Sequence, residues 1–135
     1  MAYDIEEIEG IGKAYADKLR QIGIDTTEQL LAQGAIPKGR EEIAEATGIS
    51  PKLVLKWVNH ADLFRIKGVA GQFAELLEAS GVDTVKELRH RVAANLHGRL
   101  VEVNDLKGLC NRVPSESEVE KMVAQAKELP PMVTY

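Results

Sequence analysis

IEGIGKAYADKLRQIGIDTTEQLL, residues 8–31, is the stretch that decides the fold. It places Gly10 and Gly12 on either side of one apolar residue, which is typical of a backbone that turns tightly or lies close to another group. A similar pattern of residues recurs at 66–89, which read IKGVAGQFAELLEASGVDTVKELR. Residues 58 positions apart are identical or similar, and the pairs include Gly10 and Gly68, Tyr15 and Phe73, Leu19 and Leu77, Gly23 and Gly81, and Thr26 and Thr84. The chain therefore contains an internal duplication.

A weaker match extends the duplication toward the C-terminus. SPKLVLKWVNHADLF, residues 50–64, is similar to SESEVEKMVAQAKEL, residues 115–129, at a spacing of 65 positions. The second copy therefore carries additional residues between its two matching blocks. We predict a first repeat over residues 1–65, a second over 66–129 and a C-terminal tail over 130–135.

Helix signals recur along both copies. Asp4, Thr26 and Ser50 are predicted N-caps, and Ser115 with Glu118 has the spacing of a capping box. A helix is predicted over residues 13–22, ended by a left-handed glycine at Gly23. Period-two alternation bounded by turns is missing, so an all-α fold is expected. The predicted core includes Leu19, Ile22, Leu30, Val54, Trp57, Leu77, Leu88 and Val123.

Composition narrows the class of protein. The 135 residues carry a formal net charge of −4 and only 4% aromatic residues, which favours helices built on aliphatic side chains. The single cysteine, Cys110, excludes a disulfide within the chain, and the acidic stretch MAYDIEEIEG is unlike a signal peptide. Apolar runs are too short to span a membrane. We expect a cytoplasmic protein with no membrane partner, whose acidic balance limits long-range attraction to phosphate.

The glycine turn resembles a known motif. An apolar–x–Gly–apolar–Gly pattern before a helix with a small residue at its fourth position, here Gly10, Ile11, Gly12 and Ala16, resembles the helix-hairpin-helix motif. Two tandem copies resemble the double helix-hairpin-helix domains of DNA repair and recombination proteins. Nearly the whole chain resembles an uncharacterised bacterial family of such domains, a domain of unknown function, through IGKAYADKL, TGISPKLVLKWVNHADLFRIKGV and the terminal VTY. The resemblance implies two tandem helix-hairpin-helix repeats with pseudo-twofold symmetry in one compact domain.

Such turns have a chemistry that suits phosphate. A glycine turn that opens a helix presents backbone N–H groups and the positive end of the helix dipole. These groups bind a phosphate oxygen without reading base sequence. The resemblance to double helix-hairpin-helix domains implies that the two turns contact the backbones of both strands. The predicted nucleic-acid-binding residues are Gly10, Ile11, Gly12 and Lys13 in the first turn and Lys67, Gly68, Val69 and Gly71 in the second.

A purely structural role for the turns stays open. Tight turns between helices require glycine for steric reasons alone. Ala70 stands in the second turn where the first has Gly12, and its methyl group would hinder the approach of a phosphate. The first turn is flanked by Glu6, Glu7 and Glu9, which would repel one.

The densest basic stretch lies in the second copy. Lys86, Arg89, Arg91 and Arg99, with His90 and His97, form a candidate basic patch, although a solvated helix face explains it equally. Catalytic, cofactor and metal sites are not indicated. His60, His90 and His97 lack metal-ligand spacing, His60 is expected near the surface, and Cys110 is expected as a buried thiol within a helix. Trp57 and Tyr15 fall on apolar helix faces, which favours core packing over base stacking.

Two functions of different classes remain. One is a sequence-nonspecific DNA-binding module that uses the backbone amides of both turns. The alternative is a protein-interaction or scaffold module that keeps the fold without DNA contact. A non-enzymatic role is expected for both.

Overall fold

The first glycine turn runs directly into a helix, and this arrangement begins each half of an all-helical chain. A computed structural model describes residues 3–135, in which eight α-helices follow one 3-10 helix and no strand occurs. The 3-10 helix spans Ile5–Glu7. The α-helices are α1 Lys13–Gln21, α2 Thr27–Gly34, α3 Pro37–Thr47, α4 Pro51–Leu63, α5 Gln72–Ala79, α6 Val85–Leu88, α7 Ala93–Lys107 and α8 Glu116–Glu128.

Backbone contacts divide the chain into two units. Unit 1 comprises residues 3–62 together with 132–135, and unit 2 comprises residues 63–131. In unit 1, α2 packs on α3, and in unit 2, α7 packs against both α5 and α8. Each unit therefore has its own helical core.

Side-chain hydrogen bonds account for the start of several helices. The side chain of Asp4 accepts a hydrogen bond from the Glu6 N–H and begins the 3-10 helix. Thr26 and Gln29 form a capping box at α2, and Ser115 and Glu118 form one at α8. These reciprocal bonds satisfy N–H groups that a helix leaves free at its first turn. The predicted N-caps at Asp4, Thr26 and Ser115 are confirmed.

Residues near the C-terminus belong to unit 1. Val133 is buried, and the Thr134 N–H donates to the carbonyl of Ala35 at 2.8 Å. The Tyr135 hydroxyl lies 3.3 Å from Asn59 Oδ1. This segment closes over the junction between α2 and α3.

The predicted core is confirmed at seven of its eight positions. Ile22 is the exception, because it is half-buried. The reason is that α1 ends at Gln21, so Ile22 is the C-cap residue and lies at the edge of the helix packing. Gly23 follows with φ +85°, the left-handed conformation predicted for it.

Two other sequence-based predictions were wrong. His60 is fully buried, since every residue from 57 to 64 of α4 and its C-terminal extension is buried. A helix buried on all sides has no face on which to expose a histidine. Cys110 is buried as expected but lies after the end of α7, because Gly108 at φ +61° terminates that helix.

Candidate nucleic-acid interface

The first glycine turn exposes its two glycines over buried apolar side chains. Gly10 has φ +92°, and the Ile11 N–H donates to the Ile8 carbonyl at 3.1 Å. The side chains of Ile8 and Ile11 are buried, whereas Gly10 and Gly12 are exposed. A Cβ added at Gly10 would lie 3.5 Å from Trp57 Nε1. The turn is therefore seated on the indole of α4.

The helix that follows the first turn has unused donors. Gly12 is the N-cap of α1 and provides no capping side chain. Within residues 3–135, the N–H groups of Lys13 and Ala14 donate no hydrogen bond, and the first bond of the helix runs from Ala16 to Gly12 at 2.9 Å. The exposed Lys13 adds a positive charge beside these donors. This end of α1 has the chemistry of an anion site.

Acidic residues near the first turn are partly neutralised. Arg20 Nη2 lies 3.1 Å from both Asp4 Oδ2 and Glu6 Oε2. The hydrogen bond from the Glu6 N–H and the contact with Arg20 lower the pKa of Asp4, and the hydrogen bond to Glu6 raises the pKa of Arg20. Glu7 and Glu9 are exposed and add negative charge next to the turn.

The second glycine turn has the same conformation at its first glycine. Gly68 has φ +92°, and the Val69 N–H donates to the Ile66 carbonyl at 3.1 Å. Val69 is buried and Gly68 is exposed, as at Ile11 and Gly10 of the first turn. The internal duplication therefore preserves the shape of the turn.

The second turn differs where the helix begins. α5 starts at Gln72, with Gly71 as its N-cap at φ +47° and ψ −112°. The sequence repeat pairs Gly71 with Lys13, so α5 begins one position later than α1. The backbone N–H of Lys67 is also already hydrogen-bonded, since it donates to Gln125 Oε1 at 2.9 Å. The second turn presents Lys67 and Gly68 beside Lys121, around a cavity of about 290 Å³ that Glu118 also lines.

Ile11 and Val69 support the turns through their buried side chains. Their N–H groups donate to the Ile8 and Ile66 carbonyls and are therefore not free to bind a ligand. The structure brings Gly10, Gly12 and Lys13 together at one exposed surface, and it brings Lys67 and Gly68 together at another.

The three arginines of the candidate basic patch contact different groups. Lys86 is exposed on α6, and Arg89 Nη2 donates to the Lys127 carbonyl at 3.2 Å. Arg91 Nη2 lies 3.5 Å from the Ser80 carbonyl, and Arg99 Nη1 lies 3.5 Å from Glu102 Oε2.

Arg91 and Arg99 share a surface that Lys86 and Arg89 do not. Together with Ser80, His90 and Asn95 they line a cavity of about 420 Å³, here called the α7 cavity. Sequence analysis missed Ser80 and Asn95. The duplication could have indicated Ser80, because it is paired with Ile22 at the spacing of 58 positions. A polar residue in the second copy thus replaces an apolar residue of the first.

Comparison with protein families gives one result. The family described as Domain of unknown function (DUF4332) matches residues 9–129, which include both glycine turns and the α7 cavity. The chain belongs to this family. Searches of curated proteins and of solved structures each gave no match to this DUF4332 chain. Within residues 3–135 of the DUF4332 chain, every helix is too short or too polar to cross a lipid bilayer.

Proposed function

We propose that this DUF4332 protein binds the phosphate backbone of DNA without reading its sequence, through the two glycine turns. The observation that carries the proposal is the recurrence of one exposed turn in both units. Gly10 and Gly68 share φ +92°, and each turn leads into a helix whose N-cap makes no side-chain hydrogen bond. The resemblance to tandem helix-hairpin-helix domains supports the same function.

The first turn supplies the stronger contact in this proposal. The N–H groups of Lys13 and Ala14 point to one oxygen of a phosphate, and the Lys13 ammonium contacts another. The exposed glycines leave room for the sugar and phosphate to approach the backbone. Arg20 reduces the local repulsion by pairing with Asp4 and Glu6.

The second turn supplies a weaker contact. Lys67 and Lys121 are both exposed beside it and provide the positive charge, while the carboxylate of Glu118 lies in the same cavity. Contacts of this kind hold the protein on the backbone and distinguish no base pair. A non-enzymatic role and a cytoplasmic location are parts of this proposal and rest on the sequence arguments above.

Gly12 offers a clean test of the proposal. Its φ is −87°, and a Cβ added there meets no atom within 4 Å, so side chains are tolerated. Gly12→Glu places a carboxylate where the phosphate would lie, whereas Gly12→Ala adds only a methyl group. We expect Gly12→Glu and Lys13→Glu to weaken binding of a fluorescent DNA duplex at low salt, measured by anisotropy. Lys107→Glu makes the same charge change as Lys13→Glu at the exposed end of α7 and serves as the control.

Two results would contradict DNA binding at the turns. One is an absence of binding at about 20 mM salt, where phosphate contacts are strongest. The other is an equal loss of binding in Lys13→Glu and Lys107→Glu, which would reflect total charge alone. Either result favours the alternative of a protein-interaction module. For that alternative the relevant observation is Ile36, which is 53% exposed beside a cavity of about 460 Å³ in unit 1.

A further inference from the structure

The α7 cavity is an open cavity of unit 2, lined by the C-cap of α5, the segment just before α7 and the first two turns of α7. Arg91, Arg99 and His90 supply nitrogen donors to its lining, and Asn95 supplies an amide. Among the described residues, those lining this cavity include no carboxylate. The lining therefore favours an anion.

The start of α7 strengthens this preference. α7 has 15 residues, and its N-cap, Val92, makes no side-chain hydrogen bond. The first backbone hydrogen bond of the helix is donated by the Leu96 N–H to the carbonyl of the N-cap, Val92, at 2.9 Å. Within the described residues the N–H groups of Ala93, Ala94 and Asn95 donate no hydrogen bond. They add their partial positive charge to that of the two arginines.

Ser80 gives an independent indication of a ligand. It lines the α7 cavity and is only 3% exposed, and its Oγ has no hydrogen-bond partner among the residues that the structure describes. A buried hydroxyl without a partner is costly and calls for a reason. Rotation about χ1 would turn this hydroxyl toward the cavity, where a bound oxygen-rich anion would give it an acceptor.

Unit 1 provides an internal comparison. A cavity of about 460 Å³ lies at the equivalent place in unit 1. It is lined by the C-cap of α1 and by the N-cap and seventh residue of α3, as the α7 cavity is lined by the C-cap of α5 and by the N-cap and seventh residue of α7. Those positions hold Ile22, Ile36 and Ile43 in unit 1, and Ser80, Val92 and Arg99 in unit 2. Lys38 and Glu42 also line the first cavity, and their charges are opposite. Unit 1 therefore folds with aliphatic residues at these positions, so the fold itself does not require the polar and basic residues that unit 2 has there.

We propose that the α7 cavity binds a phosphate monoester group. Arg91 and Arg99 would pair with the charged oxygens, the N–H groups at the start of α7 would bind a further oxygen, and Ser80 would donate its hydroxyl. The group belongs either to a small phosphorylated molecule or to the terminal phosphate of a nucleic-acid strand. This site is separate from the glycine turns and does not rest on the function proposed for them.

The test is an amide NMR titration of the full chain with inorganic phosphate at constant ionic strength, balanced with sodium chloride. We expect saturable shifts centred on Ala93, Ala94 and Asn95. Arg99→Gln, whose wild-type side chain is 56% exposed, should fold normally and weaken phosphate binding about tenfold through loss of a charge-assisted hydrogen bond. Arg89→Gln is the matched control, because Arg89 contacts the Lys127 carbonyl and does not line the cavity. It should leave the affinity unchanged.

Ser80→Ala separates a ligand-binding hydroxyl from a merely buried one. We expect it to weaken phosphate binding several-fold while the unfolding midpoint of the free protein stays equal or rises, since an unpartnered hydroxyl is removed. The proposal is overturned by an absence of saturable shifts at the start of α7, or by equal weakening in Arg99→Gln and Arg89→Gln. Unchanged phosphate affinity in Ser80→Ala would overturn the role given to that hydroxyl.

A second titration identifies the source of the phosphate. A short oligonucleotide with a 5′-phosphate is compared with the same strand ending in a hydroxyl. Tighter binding of the phosphorylated strand than of inorganic phosphate, with shifts at the same amides, would assign the site to strand ends. The other outcome is that inorganic phosphate shifts these amides, whereas the 5′-phosphorylated strand shifts them no more than the hydroxyl strand does. That outcome would assign the site to small phosphorylated molecules.

Discussion

Arg40 is a buried charged side chain bound by backbone carbonyls of unit 1. Its Nη1 donates to the Gly34 and Ala35 carbonyls at 2.8 and 3.1 Å, and its Nη2 donates to the Thr134 carbonyl at 2.6 Å. Burial lowers the pKa of the guanidinium from its ordinary value, yet an arginine stays charged in a folded protein. The guanidinium also lies over the Tyr135 ring at 5.8 Å. Arg40 therefore joins the end of α2 to residues 134 and 135.

Arg40→Met should destabilise unit 1. The methionine fills part of the space but leaves the Gly34 and Thr134 carbonyls without their donor, which costs about 1–3 kcal/mol, while the Ala35 carbonyl keeps the Thr134 N–H. Chemical unfolding followed by circular dichroism measures the loss, and hydrogen exchange should show faster exchange of the Thr134 amide. Arg20→Met, which removes exposed ion pairs, is the control and should have a smaller effect. A Thr134 exchange rate unchanged by Arg40→Met would contradict the role of Arg40.

Glu118 makes the stability of the protein depend on acidity. Its bidentate contact with Arg112, at 2.6 and 3.1 Å, and the hydrogen bond from the Ser115 N–H lower the pKa of the Glu118 carboxyl to about 2. A carboxyl whose pKa falls on folding stabilises the folded state above its unfolded pKa, about 4.5 here. That stabilisation is lost progressively as pH falls from about 4.5 toward 2.

The Glu118→Gln variant tests this dependence. We expect its urea unfolding midpoint to lie below that of the wild type at neutral pH, and the difference to shrink as pH falls through this window. Glu116→Gln removes the same charge from the first turn of α8 and should give a smaller difference. A difference between Glu118→Gln and wild type that stays constant with pH would contradict an ionic origin.

At the scale of the elements, one turn geometry is built from two sequences. The first turn reads Gly-Ile-Gly and the second reads Gly-Val-Ala, yet the leading glycine has φ +92° in both. A residue with a Cβ rarely adopts that conformation, so the leading glycine is required by the turn itself. The second glycine of the first turn, Gly12, has an ordinary φ of −87°, so its position needs another explanation. Close approach of a ligand is the explanation that we propose.

Alanine substitution distinguishes the two glycines of the first turn. Gly10→Ala forces a left-handed conformation on a residue with a side chain and should cost about 1 kcal/mol or more. Gly12→Ala should leave the unfolding midpoint nearly unchanged, because a Cβ there meets no atom within 4 Å. Thermal unfolding of both variants measures the contrast. Equal losses in the two variants would show that Gly12 is also required by the backbone.

At the scale of the whole molecule, the local chemistry was the predictable part. Gly23, Thr26 and Ser115 occupy the cap positions expected of them, because a cap depends on a few neighbouring residues. The α7 cavity could not be predicted, since Ser80 and Arg99 come to line one cavity only after α5 and α7 have packed. His60 was misplaced because periodicity does not reveal a helix buried on all sides. The relation to helix-hairpin-helix domains and the contact with DNA stay predictions.

The net charge of −4 disfavours long-range attraction to DNA, so binding depends on the few phosphate contacts at the turns. Contacts with two or three phosphates at the turns give a slope of about −2 to −3 for the logarithm of the association constant against the logarithm of salt concentration. Duplexes of unrelated sequence should bind equally. Anisotropy titrations at several salt concentrations measure the slope, with Gly12→Glu expected to flatten it. A marked preference among sequences would contradict backbone binding.

Cys110 gives the protein a native reporter of its own opening. It is the single cysteine of the chain, it is 8% exposed, and its Sγ–H donates to the Gln72 carbonyl at 3.2 Å. A thiol-specific reagent reaches that sulfur only when unit 2 loosens around α5 and the segment after α7. The rate of modification of this native cysteine therefore measures how often unit 2 opens locally around it. It should fall whenever a bound molecule clamps α5 and α7 together.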